Sequence, residues 1–181
     1  MTLVAFTTVD ELFEALDRLH AEPSDDVVAA LPHLLQTADR LAQTPGDEEL
    51  VVAGLVHDLA SALEPGCADH GDLGARLVAD LMGERVAGLV AGHTDAKRYL
   101  VTIDPDYGAG LSPNSTFTLI GQGGAMTREG VAEFERRRDV EALVALRRAD
   151  DAAKVPGQRV PPLRSWRPLL ERVADDRRRR R

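Results

Sequence analysis

The sequence predicts an all-α fold of about seven to eight helices, on three observations. The chain has 181 residues and 44% apolar composition, enough to bury one proper core. Aromatic residues make up only 4%, so the core must consist mainly of Leu, Val and Ala, which suits helices better than sheets. Apolar residues also recur at helical spacing along most of the chain.

Local signals place the helices in order. The stretch 8–11 reads as a capping box that opens a helix ending near His20. Ser24 can cap a second helical stretch, which Pro32 should kink or shift, together with His33 beside it. Further helices are predicted over 47–63 (the most apolar), 69–82, 84–100, 127–138, 140–154 and 166–174.

Two segments lack this pattern. Residues 101–126 are rich in Gly, Pro, Ser and Asn and are predicted to form a long functional loop. Pro156 and Gly157 end the predicted core, which spans 1–157. The rest, 158–181, is predicted to be a C-terminal extension with one short helix and an arginine tail that is disordered and solvated.

Charge and composition exclude several classes of function. The net charge of −8 argues against a broad nucleic-acid surface. No run has the length of a membrane-spanning helix, and the N-terminus lacks the features of a signal peptide. The single cysteine, Cys67, cannot form an internal disulfide, so we expect a cytoplasmic protein. An anionic substrate would need cations concentrated in a local pocket.

The histidines indicate a metal centre. His57 and Asp58 lie side by side in the most apolar predicted helix, where an unpaired charge is costly. A bound cation would remove that cost, although an ion pair or a buried hydrogen bond would also do so. Helical bundles build metal sites from side chains that several helices project inward. The ordered set that suits two ions bridged by one carboxylate is His33, His57, Asp58, His70, His93 and Asp150.

The donor chemistry leaves some choices open. Mixed nitrogen and oxygen ligands suit iron, manganese, cobalt or zinc equally. Each histidine taken alone would more often be an ordinary core residue. Asp150 and Asp151 cannot be distinguished by their chemistry.

The same residues resemble the HD superfamily, whose signature has the order H…HD…H…D. The segments HTDAKRYL (93–100), LSPNS (111–115), QGGAM (122–126) and LRRADD (146–151) resemble more specifically the HD-domain mixed-valent di-iron oxygenases that cleave phosphonates. The type enzyme of that family is 2-amino-1-hydroxyethylphosphonate dioxygenase, a relative of myo-inositol oxygenase. The similarity covers roughly 33–157, so the HD-domain bundle is the expected architecture.

The resemblance implies a ligand set and an activity. One iron would be held by His33, His57, Asp58 and Asp150, and the other by His70 and His93, with Asp58 bridging. The pair would be mixed-valent Fe(II)/Fe(III). With O2 as co-substrate it would cleave the C–P bond of a small organophosphonate, a 1-hydroxyphosphonate, giving phosphate and a carboxylic acid.

The family's phosphonate pocket maps onto donor side chains of this chain. Lys97 lies one turn after His93, and Arg147 lies three residues before Asp150, so each shares a helix face with a predicted ligand. The alternative is that Lys97 and Arg147 are ordinary surface cations. The implied phosphonate-binding residues are Lys97, Ser115, Thr118, Gln122 and Arg147.

Three positions depart from the type enzyme. Where that enzyme has a Tyr, a Glu and a His that help to recognise an aminated substrate, this chain has Pro23, Asp26 and Ser61. Asp26 remains a candidate contact for an amine, whereas Pro23 and Ser61 cannot replace an aromatic ring or an imidazole. We therefore expect a different 1-hydroxyphosphonate, smaller or differently substituted.

Two other functions remain open. A metal-dependent phosphohydrolase would use the same ligands and the same anion pocket on a phosphate ester or nucleotide. A degenerate HD fold would only bind a small anion or a partner, because fold resemblance alone does not fix function. The sequence does not determine the oligomeric state, for which we expect a monomer.

Overall fold

The computed structural model describes residues 4–20, 28–44, 46–67 and 69–180. Within these ranges the chain is all α-helical and has no β-strand, which confirms the predicted fold class. A short 3-10 helix, Leu163–Trp166, precedes the last helix. The α-helices are α1 (Val9–Arg18), α2 (Ala30–Ala42), α3 (Glu48–Val56), α4 (Leu59–Leu63), α5 (His70–Met82), α6 (Glu84–Ile103), α7 (Pro105–Ala109), α8 (Pro113–Gly121), α9 (Arg128–Phe134), α10 (Val140–Ala152) and α11 (Arg167–Arg179).

The helix predicted over 47–63 is divided in two. α3 ends at Val56 and α4 begins at Leu59, with Asp58 in a turn-like backbone conformation (φ −104°, ψ 11°). The single-helix prediction was wrong because residues on both sides of the break are buried, so the apolar pattern continues across it. The break falls at His57 and Asp58, the pair from which the metal-site prediction starts.

The segment 101–126 is not a long loop, which corrects that prediction. α6 continues to Ile103, and α7 and α8 follow. Asp104 and Ser112 cap the two short helices by accepting hydrogen bonds from the backbone N–H groups of Tyr107 and Ser115. A proline at the first turn follows each cap, an arrangement that starts helices as readily as it makes turns.

Two other local predictions have different outcomes. The capping box of α1 is confirmed, since the Thr8 hydroxyl accepts from Glu11 N and the Glu11 carboxylate accepts from Thr8 N. Pro32 produces no kink because it lies in the first turn of α2, where a missing backbone donor costs nothing. The predicted cap at Ser24 lies outside the described residues.

The core is centred on α3, in which all residues from Val51 to Val56 are buried. α5 and α6 pack closely, and Gly71 and Gly74 of α5 permit this approach. α11 packs against α3 and α5, and its buried Leu170 and Val173 belong to the same core cluster. The boundary at 157 stays a prediction.

The arginine tail differs from its prediction. α11 continues to Arg179 instead of ending near Ala174, so Arg177, Arg178 and Arg179 are helical. Arg181 lies outside the described residues. Arg178 and Arg179 form ion pairs one turn back with Asp175 and Asp176. No helix among the described residues is long and apolar enough to cross a bilayer.

Candidate metal centre and oxyanion pocket

Four helices and one turn bring the six predicted ligands together. His33 comes from α2, His70 from α5, His93 from α6 and Asp150 from α10, while His57 and Asp58 lie in the α3–α4 turn. Their possible ligand atoms form two groups, each within 4.8 Å: His33, His57, Asp58 and Asp150, and Asp58, His70 and His93.

Asp58 belongs to both groups, and its two oxygens face different histidines. Oδ1 lies 3.3 Å from His70 Nε2 and 3.4 Å from His93 Nε2. Oδ2 lies 3.5 Å from His57 Nε2 and 3.8 Å from His33 Nε2. A carboxylate in this position could contribute to two metal sites, because its two oxygens face different histidines.

Backbone carbonyls orient the four imidazoles. Each Nδ1 lies 2.6 to 3.3 Å from a carbonyl oxygen. Because a carbonyl only accepts, each Nδ1 carries a hydrogen, so an imidazole in its neutral form presents the lone pair of Nε2 to the centre. Metal-bound histidines are usually held in this way. The pairs are His33 with Ala153, His57 with Gly54, His70 with Cys67 and His93 with Val90.

The inward-facing nitrogens lack suitable protein partners. His57 Nε2 is buried and has no hydrogen-bond partner among the described residues. The Nε2 atoms of His70 and His93 lie 3.2 Å apart, so two lone pairs face each other. Buried unsatisfied acceptors are costly, and a cation between these nitrogens would satisfy them.

The carboxylates also require positive charge at this position. Burial alone would raise the pKa of Asp58 and of Asp150, but neighbouring cationic groups, His57 for Asp58 and Arg147 for Asp150, hold both well below their usual value. Burial alone would lower the pKa of His57, but the Asp58 and Asp150 charges raise it to about 10. Two metal ions would supply this charge and leave the histidines neutral, so the donor set fits a two-metal centre.

Lys97 lies next to this centre as a buried cation. Its side chain is on α6 and the residue is 2% exposed. Nζ donates to Thr118 Oγ1 at 2.7 Å and to Ser115 O at 3.4 Å, both on α8. Burial, with the nearby charge of Arg147, lowers the pKa of Lys97 to about 8.

Arg147 is also buried, at 4% exposure, so the alternative of two ordinary surface cations was wrong. Its guanidinium donates to Asp150 Oδ2 at 2.7 Å and forms a second, bidentate pair with Asp151. It also donates to Ser115 Oγ at 3.3 Å and Tyr107 Oη at 3.0 Å. The proposed oxyanion pocket consists of Lys97, Ser115, Thr118, Gln122 and Arg147. Arg147 links this pocket directly to Asp150, a predicted metal ligand.

The other predicted pocket residues lie on or beside α8. Ser115 is buried and Thr118 is partly buried. Gln122 follows the helix as its cap, and its Oε1 is buried without a hydrogen-bond partner among the described residues. Ser61 is partly buried on α4, three residues after Asp58. Pro23 and Asp26 lie outside the described residues.

Sequence reasoning did not assign Tyr107 or Lys154 to the site, and it weighed Asp151 only as an alternative to Asp150. Asp151 and Lys154 lie four residues after Arg147 and Asp150, a same-face spacing that could have identified both. Tyr107 gave no such signal because it lies in the segment taken for a loop. Burial raises the pKa of the Tyr107 phenol, which donates to Asp151 Oδ2 at 2.6 Å.

A separate cavity of about 640 Å³ lies between the end of α11 and the α5–α6 junction. It is lined by Glu49, Met82, Gly83, Glu84, Arg85, Arg138, Asp139, Arg177 and Arg180. None of the six predicted ligands lines it, so we do not assign it to the metal centre.

Comparison with known proteins identifies the family. Residues 31–153 match the HD domain family. The chain belongs to this family. The His57–Asp58 pair, which contributes to the two donor groups, lies within the matched residues.

Two relatives of this HD-domain protein are named as phosphonate dioxygenases. Hydroxymethylphosphonate dioxygenase of Gimesia maris is 34% identical over 173 residues, covering 90% of this chain and 86% of the relative. [1-Hydroxy-2-(trimethylamino)ethyl]phosphonate dioxygenase (glycine-betaine-forming) of Leisingera caerulea is 31% identical over 157 residues, 82% of this chain and 80% of the relative. An uncharacterized protein of Acanthamoeba polyphaga mimivirus is 31% identical over 153 residues, 77% of this chain and 69% of the relative.

Proposed function

We propose that this HD-domain protein is a di-iron oxygenase that uses O2 to cleave the C–P bond of a 1-hydroxyphosphonate, giving phosphate and a carboxylic acid. One observation carries the proposal: Asp58 joins two groups of metal-ligand atoms, and two buried cationic side chains, Lys97 and Arg147, lie beside them. The names of two relatives, both phosphonate dioxygenases, support the same activity.

Hydroxymethylphosphonate is the first substrate to test. It has no amine, and Pro23 and Ser61 cannot supply the aromatic or imidazole contacts that recognise one. The first relative carries this compound in its name. The reaction would take hydroxymethylphosphonate and O2 to formate and phosphate, in which both oxygen atoms of O2 are retained in the products. Asp26 is the proposed contact for an amine in a longer substrate.

The six ligands would hold the metals, with Asp58 bridging: His33, His57 and Asp150 on one side, and His70 and His93 on the other. A mixed-valent Fe(II)/Fe(III) pair supplies the O2 activation and one-electron chemistry that amino-acid side chains lack. The backbone carbonyls fix the orientation and the tautomer of the imidazoles by accepting from Nδ1–H, which leaves each Nε2 for the metal.

The pocket residues would bind and orient the phosphonate. Lys97 and Arg147 provide positive charge in a buried environment, where charge-assisted hydrogen bonds are strong. Ser115, Thr118 and Gln122 provide further polar contacts from α8 and its cap. Arg147 also holds Asp150 through a 2.7 Å hydrogen bond, so substrate position and ligand position are coupled.

A phosphohydrolase would use the same ligands and the same pocket, so the requirement for O2 decides between the two reactions. We expect iron-loaded protein to release phosphate from hydroxymethylphosphonate only in air, with one O2 consumed for each phosphate. Release of phosphate at the same rate without O2, from this compound or from a phosphate ester, would favour the hydrolase. Arg148→Gln removes one positive charge from the exposed face of α10 and should leave phosphate release unchanged.

A fold that only binds an anion would neither need nor retain metal. We expect removal of metal to lower the thermal stability of the protein, because four imidazoles and two carboxylates would lose their common partners. Unchanged stability after chelation, together with no turnover, would support a binding module. We further propose a cytoplasmic monomer, for which size-exclusion chromatography tests the monomeric state.

A further inference from the structure

Two cations converge on the hydroxyl group of Ser115. Lys154 Nζ lies 3.1 Å from Ser115 Oγ, and Arg147 Nη2 lies 3.3 Å from it. A hydroxyl oxygen has two lone pairs, so these donors alone use both. A neutral hydroxyl is a weak partner for two positive charges. An oxyanion placed here would offer more lone pairs and a charge of the correct sign.

Lys154 has more donor capacity available than the other two cations. It follows α10, four residues after Asp150, and its side chain is 29% exposed. Within the described part of the chain its only hydrogen bond is to Ser115, which leaves two of the three ammonium hydrogens available. Lys97 already donates to Thr118 and Ser115.

The ion pairs of Arg147 reduce its capacity to neutralise a ligand. Its guanidinium donates to Asp150 and Asp151, so two negative charges already face its single positive charge. Lys154 has no carboxylate closer than Asp150 Oδ1 at 4.0 Å among the described residues. Lys154 would therefore add positive charge beside Ser115 that the ion-paired Arg147 does not supply.

We propose that Lys154 is a further substrate-binding residue, the third cation of the oxyanion pocket, and that it binds a phosphonate oxygen beside Ser115. Lys154 is partly exposed and reaches Ser115 Oγ from the end of α10, whereas Lys97 is buried and reaches Ser115 O from α6. The oxyanion would thus be contacted by both lysines and by Arg147. The identity of the substrate as a phosphonate rests on the proposed function. The assignment of Lys154 to an oxyanion site does not.

Calorimetric titration of iron-loaded protein with inorganic phosphate tests this assignment without turnover. We expect Lys154→Gln to weaken phosphate binding about tenfold or more, because one charge-assisted hydrogen bond is lost. Lys154→Arg should bind within about threefold of the unchanged protein. Arg148→Gln, which removes an exposed charge from α10, should bind phosphate unchanged.

Two further measurements separate a binding role from a structural one. With hydroxymethylphosphonate, Lys154→Gln should raise KM while kcat changes little, and its iron content should stay that of the unchanged protein. Unchanged phosphate affinity in Lys154→Gln would overturn the proposal. So would loss of iron or a fall in kcat alone, which would assign Lys154 to the support of Asp150. If phosphate binding depends on Lys154 but no phosphonate is turned over, the anion site is supported and only the proposed function is contradicted.

Discussion

Asp58 is the residue on which the metal centre depends most. Its carboxylate is the only group common to both sets of ligand atoms, and each oxygen faces a different pair of histidines. Each set without Asp58 has fewer donors and less negative charge. The two metal sites should therefore be lost together.

Asp58→Asn tests this coupling. The amide keeps the shape of the side chain but removes the charge and one acceptor, so we expect fewer than two metals per chain and activity reduced at least ~100-fold. Metal analysis and O2 uptake measure the two effects. Asp72→Asn on the exposed surface of α5 is the control. A variant of Asp58 that retains both metals and its activity would show that the bridge is unnecessary.

Lys97 should make anion binding depend on pH. Burial lowers its pKa to about 8, so Lys97 is positively charged below that pH and neutral above it. Phosphate affinity should therefore fall as pH rises through about 8. Titrations on either side of this value measure the step. Lys97→Met removes the titrating ammonium group, so this variant should bind phosphate more weakly at every pH and should lack the step near pH 8. The ionisation of phosphate itself affects both proteins equally.

The sequence predicted the residues of the metal centre better than those of the pocket. His33, His57, His70 and His93 are recognisable together because they form an ordered set with Asp58 and Asp150. Lys154 could have been found by its spacing of four residues from Asp150, but Tyr107 gave no signal, since tyrosine in a Pro- and Gly-rich segment is common. The proximity of Tyr107 to Arg147 results from tertiary packing, which no local pattern reveals.

At the level of elements, the close packing of α5 on α6 brings His70 to His93. A Cβ atom added at Gly71 would lie 3.0 Å from the backbone oxygen of Ala91, and a backbone atom cannot move aside without shifting the helix. The glycine next to His70 therefore sets the distance between the helices that carry these two histidines.

Gly71→Ala should push α5 away from α6. We expect a loss of about 1–3 kcal/mol of unfolding free energy, as for other overpacked sites, together with a lower metal content because His70 moves with its helix. Thermal unfolding and metal analysis measure both. Gly88→Ala on the exposed face of α6 is the matched control, because nothing lies within 4 Å of its added Cβ and alanine favours the helix by about 1 kcal/mol. Equal effects of the two substitutions would contradict this account.

Helix ends were less predictable than helix existence. The pattern of apolar residues correctly predicted α1, α5 and α10 as helices, but it did not reveal the break at Asp58. Apolar periodicity reports burial, and burial is continuous from α3 into α4. The caps of α7 and α8 were read as turns because Asp-Pro and Ser-Pro have the same composition in turns and at helix starts.

On the scale of the whole molecule, the C-terminal helix completes the core. Leu170 is fully buried in the cluster that includes α3, the helix that ends at the HD pair. The sequence placed this helix in an extension because prolines precede it and arginines follow it. Neither feature reports what the apolar side of the helix packs against.

Leu170→Ala should destabilise the entire protein. A buried leucine truncated to alanine typically costs about 2–5 kcal/mol, and we expect a single unfolding transition at a lower denaturant concentration. Chemical denaturation followed by circular dichroism measures the change. Glu171→Ala, at the exposed neighbouring position, should have little effect. Separate unfolding of residues 158–181, with the rest unchanged, would instead support the boundary at 157.

The central claim is that two metal ions share Asp58. Anomalous diffraction at the iron edge from crystals of the iron-loaded protein tests it most directly. The account predicts two peaks, one bounded by His33, His57 and Asp150 and the other by His70 and His93, with Asp58 between them. A single peak, or a peak that does not contact Asp58, would contradict it.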